Sequence, residues 1–377
     1  MRDRIFYLGF YNNELISQEN REFYPAADTK MDYVRAVIAD HTNQVHIISA
    51  SGTKADRSVA GGLTQLDSNT DLKTFRSLGK GGKIKRMLGR IYLKLQLLCY
   101  LLSALRTEDI LVVYHSLKYM KIVRLAKKIK NFKLIEEVEE IYADVTGNGK
   151  TRKKEFKFFG IADGYIFSTR LLNDEINTID KPYAVANGTY KPEPVLSEKL
   201  GDGKIHVVYA GTLDPRKGGA IAAATVAQFL PPDYHVHILG FGSDEQKKSL
   251  MGVVRESNVD GHAKVTYDGL LVGDDFKKFI QSCDIGLSTQ NPEASFNATS
   301  FPSKILSYMA NGLKVVSIRV PAIEGSDVGE YIFYYDDQTP ADIANAILFA
   351  SVGSDYDSRA VLKKRNLEFS DSLRALL

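Results

Sequence analysis

Val207-Val-Tyr-Ala-Gly-Thr-Leu-Asp-Pro-Arg-Lys-Gly-Gly219 is the stretch that decides the fold. An apolar run ends at Gly211, and a short turn then brings Arg216 and Lys217 ahead of a helical pattern. In open α/β sheets, ligands bind beyond the carboxyl ends of the strands, where a small residue lets the backbone approach an anion. The stretch therefore predicts a strand, an anion-binding turn and a helix. A solvated loop is the alternative for the turn.

A second stretch, Asn297-Ala-Thr-Ser-Phe-Pro-Ser-Lys-Ile-Leu-Ser-Tyr-Met-Ala-Asn-Gly312, predicts a helix with an anion bound at its start. Pro302 suits the first helical position, and Gly312 suits the left-handed residue that ends a helix. Lys304 falls in the first turn, where a cation opposes the helix dipole unless an anion is bound there. The hydroxyl groups on the same polar face belong to Ser300, Ser303 and Ser307. A solvent-exposed polar face is the alternative.

Short β-rich runs alternate with helical patterns along almost the whole chain, which predicts parallel sheets covered by helices on both faces. The 377 residues exceed what one core usually serves, and a stretch rich in Pro and Gly at 187–204 separates two similar halves. We predict an N-terminal domain at 1–188, a C-terminal domain at 189–355 and a helix at 356–377 that can pack back on the first domain. Residues 50–71 are polar and aperiodic and predict a long surface loop.

The composition is that of an ordinary globular protein, with 44% hydrophobic and 25% charged residues. Only two cysteines occur, Cys99 and Cys283, which fits a reducing compartment and argues against a disulfide scaffold. The apolar run Ile5–Phe10 is too short for a signal peptide. The longest apolar run, Ile91–Leu105, is interrupted by Lys94 and falls short of the roughly 20 residues that a membrane span needs. We therefore expect a cytoplasmic protein.

Positive charge is concentrated in the first half of the chain. Residues 1–182 hold 30 Lys and Arg against 22 Asp and Glu, and residues 72–107 hold nine bases and no acid. The bases alternate with apolar residues near helical period, as in helices that lie on anionic lipid at the inner face of a membrane. An outer helix that packs on the sheet is the alternative. Nucleic acid is not an expected partner, because the pI of about 8.5 is mild and no recognition motif occurs.

Four motifs together resemble a known family. They are Gly211–Gly218, Gly240-Phe-Gly242, Cys283–Ser288 and Phe301–Gly312. In this order they resemble glycosyltransferases of the GT-B fold, and most of all the glycogen-synthase-like family 4 group. The resemblance implies an α/β protein of two Rossmann-like doubly wound domains facing a cleft. It also implies that the C-terminal domain binds a nucleotide-sugar donor, UDP- or GDP-linked, and that the acceptor enters from the N-terminal domain.

Carried over by this resemblance, the diphosphate of the donor is bound around the two glycine-rich strand ends and the second stretch. The donor-binding residues so implied are Gly211, Thr212, Arg216, Lys217, Gly242, Thr299, Ser300, Ser303, Lys304 and Ser307. Lys217 and Lys304 are the implied catalytic cations, which neutralise the leaving diphosphate without a metal. Thr212 stands where the family commonly has Arg, and Thr299 and Ser307 stand where it commonly has two glutamates. Arg216 is a candidate to supply the missing charge.

On the acceptor side, His115 follows a predicted strand directly and is a candidate catalytic residue by resemblance. A structural histidine is the alternative. The acidic run Glu136–Glu140 also follows a strand, and Glu140, like Glu137 or Glu139, is a candidate acceptor-side base.

No metal site is expected. His235-x-His237 has no third ligand near it in sequence, and Asp357 of Asp355-Tyr-Asp357 reads as a helix cap.

Taken together, these patterns predict a metal-independent enzyme of the hexosyltransferase type. It would move a sugar from a nucleotide-diphosphate donor to a glycan or lipid-linked acceptor in polysaccharide or glycoconjugate assembly. No cofactor is expected beyond the nucleotide-sugar co-substrate. Two alternatives stay open: a non-catalytic GT-B subunit that partners an active transferase, and a nucleotide-sugar epimerase.

Overall fold

A computed structural model of the chain describes residues 2–146, 148–214, 219–289, 300–353 and 356–377. The chain divides into two compact units, each with its own parallel sheet. The first unit comprises Met1–Thr189 and Glu368–Leu377, and the second comprises Tyr190–Leu367.

The first unit is built on an eight-stranded sheet. Its strands are β1 (Arg2–Gly9), β2 (Thr42–Ser49), β3 (Leu63–Gln65), β4 (Thr70–Lys73), β5 (Ile110–Tyr114), β6 (Lys133–Val138), β7 (Gly164–Phe167) and β8 (Tyr183–Val185). They lie in the order β3-β4-β2-β1-β5-β6-β7-β8. All neighbours are parallel except β3 and β4, which are antiparallel. The strand order reverses at β1, which is the doubly wound topology that the sequence predicts.

Within the described residues, six α-helices between Pro25 and Ile176 accompany this sheet. They are α1 (Pro25–Ala39), α2 (Lys83–Ala104), α3 (Met120–Lys130), α4 (Tyr142–Thr146), α5 (Gly149–Phe159) and α6 (Arg170–Ile176). The apolar strands are buried on both faces, as four consecutive buried residues in β5 and in β7 show. Such continuous burial is what helices on both sides of a parallel sheet require.

Part of the predicted surface loop at 50–71 is a strand. Residues 63–65 form β3, and β4 begins at Thr70 and pairs with β2 inside the sheet. The sequence signal fails here because β4 is only four residues long and three of the four are polar. Its Asp71 is buried all the same, because His46 of β2 hydrogen-bonds it with Nδ1 at 2.9 and 3.0 Å.

The second unit is built on a six-stranded sheet that is parallel throughout. Its strands are β9 (Ile205–Thr212), β10 (Tyr234–Phe241), β11 (Lys264–Gly269), β12 (Ile285–Ser288), β13 (Lys314–Ile318) and β14 (Ile332–Tyr335), in the order β11-β10-β9-β12-β13-β14. The helices are α7 (Ala220–Thr225), α8 (Asp244–Ser257), α9 (Gly273–Ser282), α10 (Lys304–Ala310), α11 (Pro321–Glu324), α12 (Pro340–Val352) and α13 (Ser358–Leu376). The strand order reverses at β9, so a ligand site is expected beyond the carboxyl ends of β9 and β12.

The helix predicted at the end of the sequence is α13, and its last turns contribute to the first unit. Phe369 is 2% exposed and stacks on Tyr33 of α1 with ring centroids 5.6 Å apart. Ser370 Oγ lies 2.9 Å from Nε2 of His41, and Lys133 of β6 donates to the Leu376 carbonyl at 2.6 Å. The first unit is therefore completed by residues that follow the whole second unit in sequence.

Candidate functional site

The carboxyl ends of β9 and β10 approach each other so closely that only glycine fits. Gly240 pairs with Gly211, and a Cβ added to Gly240 would lie 1.7 Å from the Gly211 carbonyl oxygen. Gly240 also has a φ of +148°, which L side chains rarely adopt. Two residues further on, a Cβ at Gly242 would meet the Leu213 Cβ at 2.8 Å. The ends of these two strands therefore expose backbone without side chains at Gly211, Gly240 and Gly242.

Lys304 is the cation that lies beside the backbone at Gly211. It is the first residue of α10, and its Nζ lies 4.3 Å from the ring centroid of Tyr209 on β9. A Cβ added to Gly211 would stand 3.3 Å from the same Nζ, so the ammonium group lies directly against the Gly211 backbone. Burial lowers the pKa of Lys304 to about 8, and no carboxylate among the described residues counters this. The aromatic face of Tyr209 gives the cation some stabilisation, but an anion is what it lacks.

Tyr308 holds Lys304 in this place. Its hydroxyl oxygen accepts a hydrogen bond from the Ala210 N–H of β9 at 2.7 Å. On the other side, its ring fills the space left by Gly286 of β12, where a Cβ would lie 2.3 Å from the ring. Helix α10 is thereby fixed against both strands at the point where the sheet order reverses. Sequence reasoning missed Tyr209 and Tyr308, because an aromatic residue in a strand or helix is indistinguishable there from ordinary core.

The helix predicted around Lys304 begins later than expected. Pro302 was expected at the first helical position, but α10 begins at Lys304, and the Pro302 carbonyl accepts from the Ile305 N–H at 3.1 Å. Ser303 is the residue before the helix and makes no side-chain cap. Ser300 and Ser307 are half-buried, whereas Ser303 is exposed. The predicted left-handed stop is confirmed, because Gly312 has a φ of +85°.

Three of the predicted donor-side residues, Arg216, Lys217 and Thr299, lie outside the described residues. Thr212 is the last residue of β9, and its hydroxyl accepts from the Asp214 N–H at 3.2 Å. The Thr212 carbonyl accepts from the Tyr209 hydroxyl at 3.1 Å. Of the predicted set, the structure therefore brings together Gly211, Thr212, Gly242 and Lys304.

In the first unit, His115 is enclosed between two buried carboxylates. Its Nδ1 lies 2.8 Å from Glu136 of β6, and its Nε2 lies 3.0 Å from Glu155 of α5. Burial lowers the pKa of His115, but the two carboxylates outweigh it and raise the value to about 9. Both ring nitrogens are engaged and the side chain is 2% exposed. This placement favours the structural alternative over a catalytic His115, since no ring nitrogen is left to contact a substrate.

The acidic run at the end of β6 divides into buried and accessible groups. Glu137 is fully buried and hydrogen-bonds the Tyr7 hydroxyl of β1; burial and the nearby Glu139 raise its pKa to about 8. The Glu139 carboxylate lies 3.5 Å from Nζ of Lys30 and is 28% exposed. Glu140 is half-buried as well. The carboxyl edge of the first sheet therefore presents Glu139 and Glu140, with a protonated Glu137 beneath them at neutral pH.

Helix α2 exposes most of the apolar residues of its first half, whereas Leu93, Leu98 and Leu102 are partly buried against the core of the first unit. Only Leu97 and Leu101 are buried, and both pack in the core of the first unit. The large apolar side chains that it exposes, each more than a third, are Ile84, Met87, Leu88, Ile91, Tyr92 and Leu95. Of the described helices, α2 alone is long and apolar enough to cross a membrane, a test of length and composition that core helices of soluble proteins also pass. It begins eight residues before the run Ile91–Leu105, which by itself is too short to span a membrane.

The fold and the strand-end geometry define the class of protein: a GT-B fold of two Rossmann-like domains. Solved structures with the same fold include the alpha,alpha-trehalose 6-phosphate synthase from Burkholderia multivorans, with a TM-score of 0.65 and 12% identity over 100% of this chain and 93% of that one. The sucrose-phosphate synthase from Thermosynechococcus elongatus has a TM-score of 0.61 and 15% identity, over 100% and 95%. Anabaena HepE in complex with UDP and glucose has a TM-score of 0.63 and 12% identity, over 99% and 98%.

The second unit also matches a protein family by its sequence. Residues 204–350 match the family model described as Glycosyl transferases group 1, so this unit carries a glycosyltransferase domain. No curated protein sequence matches the chain. The GT-B fold and the glycosyltransferase resemblance inferred from the sequence are thereby confirmed.

Proposed function

We propose that this protein transfers a sugar from a nucleotide-diphosphate donor to a glycan or lipid-linked acceptor. The observation that carries the proposal is the environment of Lys304. Burial lowers its pKa, and no carboxylate among the described residues pairs with it. Its ammonium group lies against the backbone of Gly211. A group of this kind is matched to a ligand that brings negative charge. The diphosphate of a nucleotide sugar does so, and it gains further charge as the bond to the sugar breaks.

Electrostatics defines the role of Lys304 in this reaction. In a site from which water is largely excluded, a fixed ammonium group stabilises developing charge far more than it would in water. Tyr308 and Gly286 hold α10 in place, so the cation needs no reorganisation as the leaving group forms. Lys217 is proposed, from the sequence resemblance, as the second cation for the diphosphate. A UDP-linked sugar is the favoured donor, because the structure of HepE contains UDP and glucose.

The acceptor is proposed to bind at the carboxyl edge of the first sheet. The partly exposed Glu139 and Glu140 offer acceptor hydroxyls a hydrogen-bond acceptor or base there. In this proposal His115 has a positioning role. It directly follows β5, and its hydrogen bonds to Glu136 and Glu155 link that strand end to β6 and α5. This arrangement serves polysaccharide or glycoconjugate assembly.

We place the acceptor at a membrane surface because of α2. Its exposed apolar residues are flanked by bases only, and the sequence from 72 to 107 contains no acid. Apolar side chains that insert at the headgroup boundary and bases that contact anionic lipid are the two components of interfacial binding. The protein would thus lie at the inner face of the membrane, with α2 as its contact.

Calorimetric titration with UDP, GDP and UDP-sugars tests the donor assignment, together with turnover measured as release of the nucleoside diphosphate. We expect UDP to bind and Lys304→Ala to lose at least tenfold in affinity and more in turnover. Lys248→Ala is the matched control, because Lys248 is an exposed lysine of α8 in the same unit. Equal behaviour of the two variants would contradict the proposal.

The same experiment separates the alternatives. Binding of a nucleotide sugar without transfer or hydrolysis identifies a non-catalytic subunit. Thr299 and Ser307, which stand in place of the glutamates of the resembling family, and Thr212, which stands in place of its Arg, favour this alternative. Interconversion of the donor without an acceptor identifies an epimerase.

A further inference from the structure

Three histidines of the second unit lie together at the amino-terminal ends of two neighbouring strands. His206 of β9 is paired with His235 of β10, and His237 follows two residues later on the same face. One ring nitrogen from each of the three lies within 4.8 Å of the other two. The expectation of no metal site rested on the lack of a third ligand near His235 and His237 in sequence. The fold supplies that ligand from the adjacent strand.

The hydrogen-bond partners of His206 and His237 determine which of their ring nitrogens carry a hydrogen atom. His206 Nε2 lies 2.9 Å from Asp202, and His237 Nδ1 lies 3.1 Å from Asp268. A carboxylate can only accept, so each of these nitrogens carries a hydrogen atom. The remaining nitrogens, His206 Nδ1 and His237 Nε2, face each other at 2.9 Å. In two neutral imidazoles both are lone pairs, so the pair needs a positive species between them.

The third ring, that of His235, also has one nitrogen atom with a lone pair that can bind a metal. Thr266 Oγ1 lies 2.9 Å from Asp268 and therefore donates its single hydrogen atom to that carboxylate. His235 Nε2 lies 3.1 Å from Thr266 Oγ1 and must be the donor in this hydrogen bond, because the hydroxyl hydrogen is already used. The Nδ1 of a neutral His235 is then unprotonated. A proton between two rings would serve two nitrogens, whereas a metal ion serves all three.

We propose that His206, His235 and His237 bind one Zn²⁺ ion, with a water molecule as the fourth ligand. Three neutral imidazoles favour borderline divalent metals such as zinc. Asp202 and Asp268 stand behind two of the rings, in the way that carboxylates orient metal-bound histidines. Two zinc-bound nitrogens are about 3.3 Å apart in tetrahedral geometry. The 2.9 Å pair would therefore open by roughly half an ångström, and a pair as far apart as 4.8 Å would close by about 1.5 Å.

The position of the cluster indicates a structural role. His206 is the second residue of β9 and Gly211 is the seventh, so the cluster lies about 16 Å along the strand from the donor site. A metal there crosslinks β9 to β10, and through Asp268 it also fixes β11. This inference is independent of the proposed transfer reaction.

Metal binding is tested on purified, metal-free protein that carries no affinity-tag histidines. Titration with Co²⁺ followed by visible absorption, and then displacement by Zn²⁺, reports both stoichiometry and coordination geometry. We expect one equivalent to bind with a tetrahedral spectrum, and Zn²⁺ to raise the melting temperature. His235→Ala should weaken binding at least tenfold, and Asp268→Asn should weaken it to a lesser degree.

His262→Ala is the matched control, because His262 is an exposed histidine of the same unit. If His206→Ala or His237→Ala fails to fold, the half-buried His235 and the zinc dependence of wild-type melting still decide the question. Absence of binding at micromolar metal, or equal affinity of His235→Ala and wild type, would overturn the proposal. A melting temperature that responds to pH but not to metal would assign the cluster to a shared proton instead.

Discussion

At the scale of single residues, the molecule separates two kinds of buried charge. His115 is satisfied by two carboxylates, so that its removal would leave buried acids without their partner. Lys304 has no such partner among the described residues, and burial lowers its pKa to about 8. The first arrangement stabilises a fold, whereas the second lowers stability and is retained where a ligand completes it.

The depressed pKa of Lys304 predicts how UDP binding depends on pH. Below about pH 8 the ammonium group is charged and attracts the diphosphate; above it the charge is lost, so the affinity should fall several-fold to tenfold between pH 7 and pH 9. Lys304→Arg keeps its charge throughout this range, so its affinity should stay nearly constant. Calorimetry at pH 7, 8 and 9 measures both profiles. Parallel profiles for the two proteins would show that Lys304 is not the titrating group.

Glu137 predicts a second pH effect, on stability. Its pKa is raised to about 8, so its contribution to stability is fully present below its ordinary value near 4.5 and is lost as the pH rises through 8. Glu137→Gln stays neutral and can still accept from Tyr7. Relative to wild type, this variant should therefore become more stable as the pH rises from 5 to 8.5. The difference in unfolding free energy should change by about 1 kcal/mol or more, and the melting temperature should follow it.

Thermal melting across this range provides the measurement. Glu108→Gln, at an exposed acid of the same unit, should run parallel to wild type. A constant difference between Glu137→Gln and wild type at all pH values would refute the buried protonated acid.

At the scale of elements, strand and helix alternation was readable because parallel strands are buried on both faces and appear as continuous apolar runs. Gly211 and Gly242 could be predicted as site residues for a similar reason, because they lie at the ends of such apolar runs. Strand β4 could not be predicted, because its Thr70 and Asp71 are polar residues that are nevertheless buried where β4 pairs with β2. The hydrogen bond of Tyr308 to β9 and the position of His206 beside His235 could not be predicted from the sequence either. Both depend on contacts between elements far apart in sequence.

Helix α2 predicts selective binding to anionic membranes. Wild-type protein should sediment with vesicles that contain phosphatidylglycerol, and much less with phosphatidylcholine alone, and the binding should weaken as salt is added. Ile84, Leu88 and Ile91 lie on one face and are 72%, 52% and 48% exposed, so their triple replacement by Gln should reduce binding at least tenfold. The melting temperature should change little, because these side chains are already in water.

The control for this variant is Leu270→Gln, which alters an exposed leucine of the second unit. Equal sedimentation with both lipids, or unchanged binding of the triple variant, would exclude α2 as a membrane contact.

At the scale of the whole molecule, each unit has its own sheet, yet α13 contributes to both. Phe369 should matter chiefly to the first unit, because it stacks on Tyr33. We expect Phe369→Ala to cost about 3–5 kcal/mol in that unit. Amide hydrogen exchange should show faster exchange in β1 and β2 and unchanged protection in β9 and β10.

Leu367→Ala changes a 66% exposed leucine of the same helix and should cost no more than about 0.5 kcal/mol. A uniform loss of protection in both units of Phe369→Ala would show that the two sheets unfold as one.

The shared helix also sets an order of events during synthesis. A nascent chain emerges from the ribosome in sequence order, and domains generally fold as they emerge. Here the first unit lacks Phe369 and Leu376 until every residue of the second unit has been made. The unit that is translated first is therefore finished last, and until then the surface around Tyr33 and Gly164 is open to chaperones and proteases.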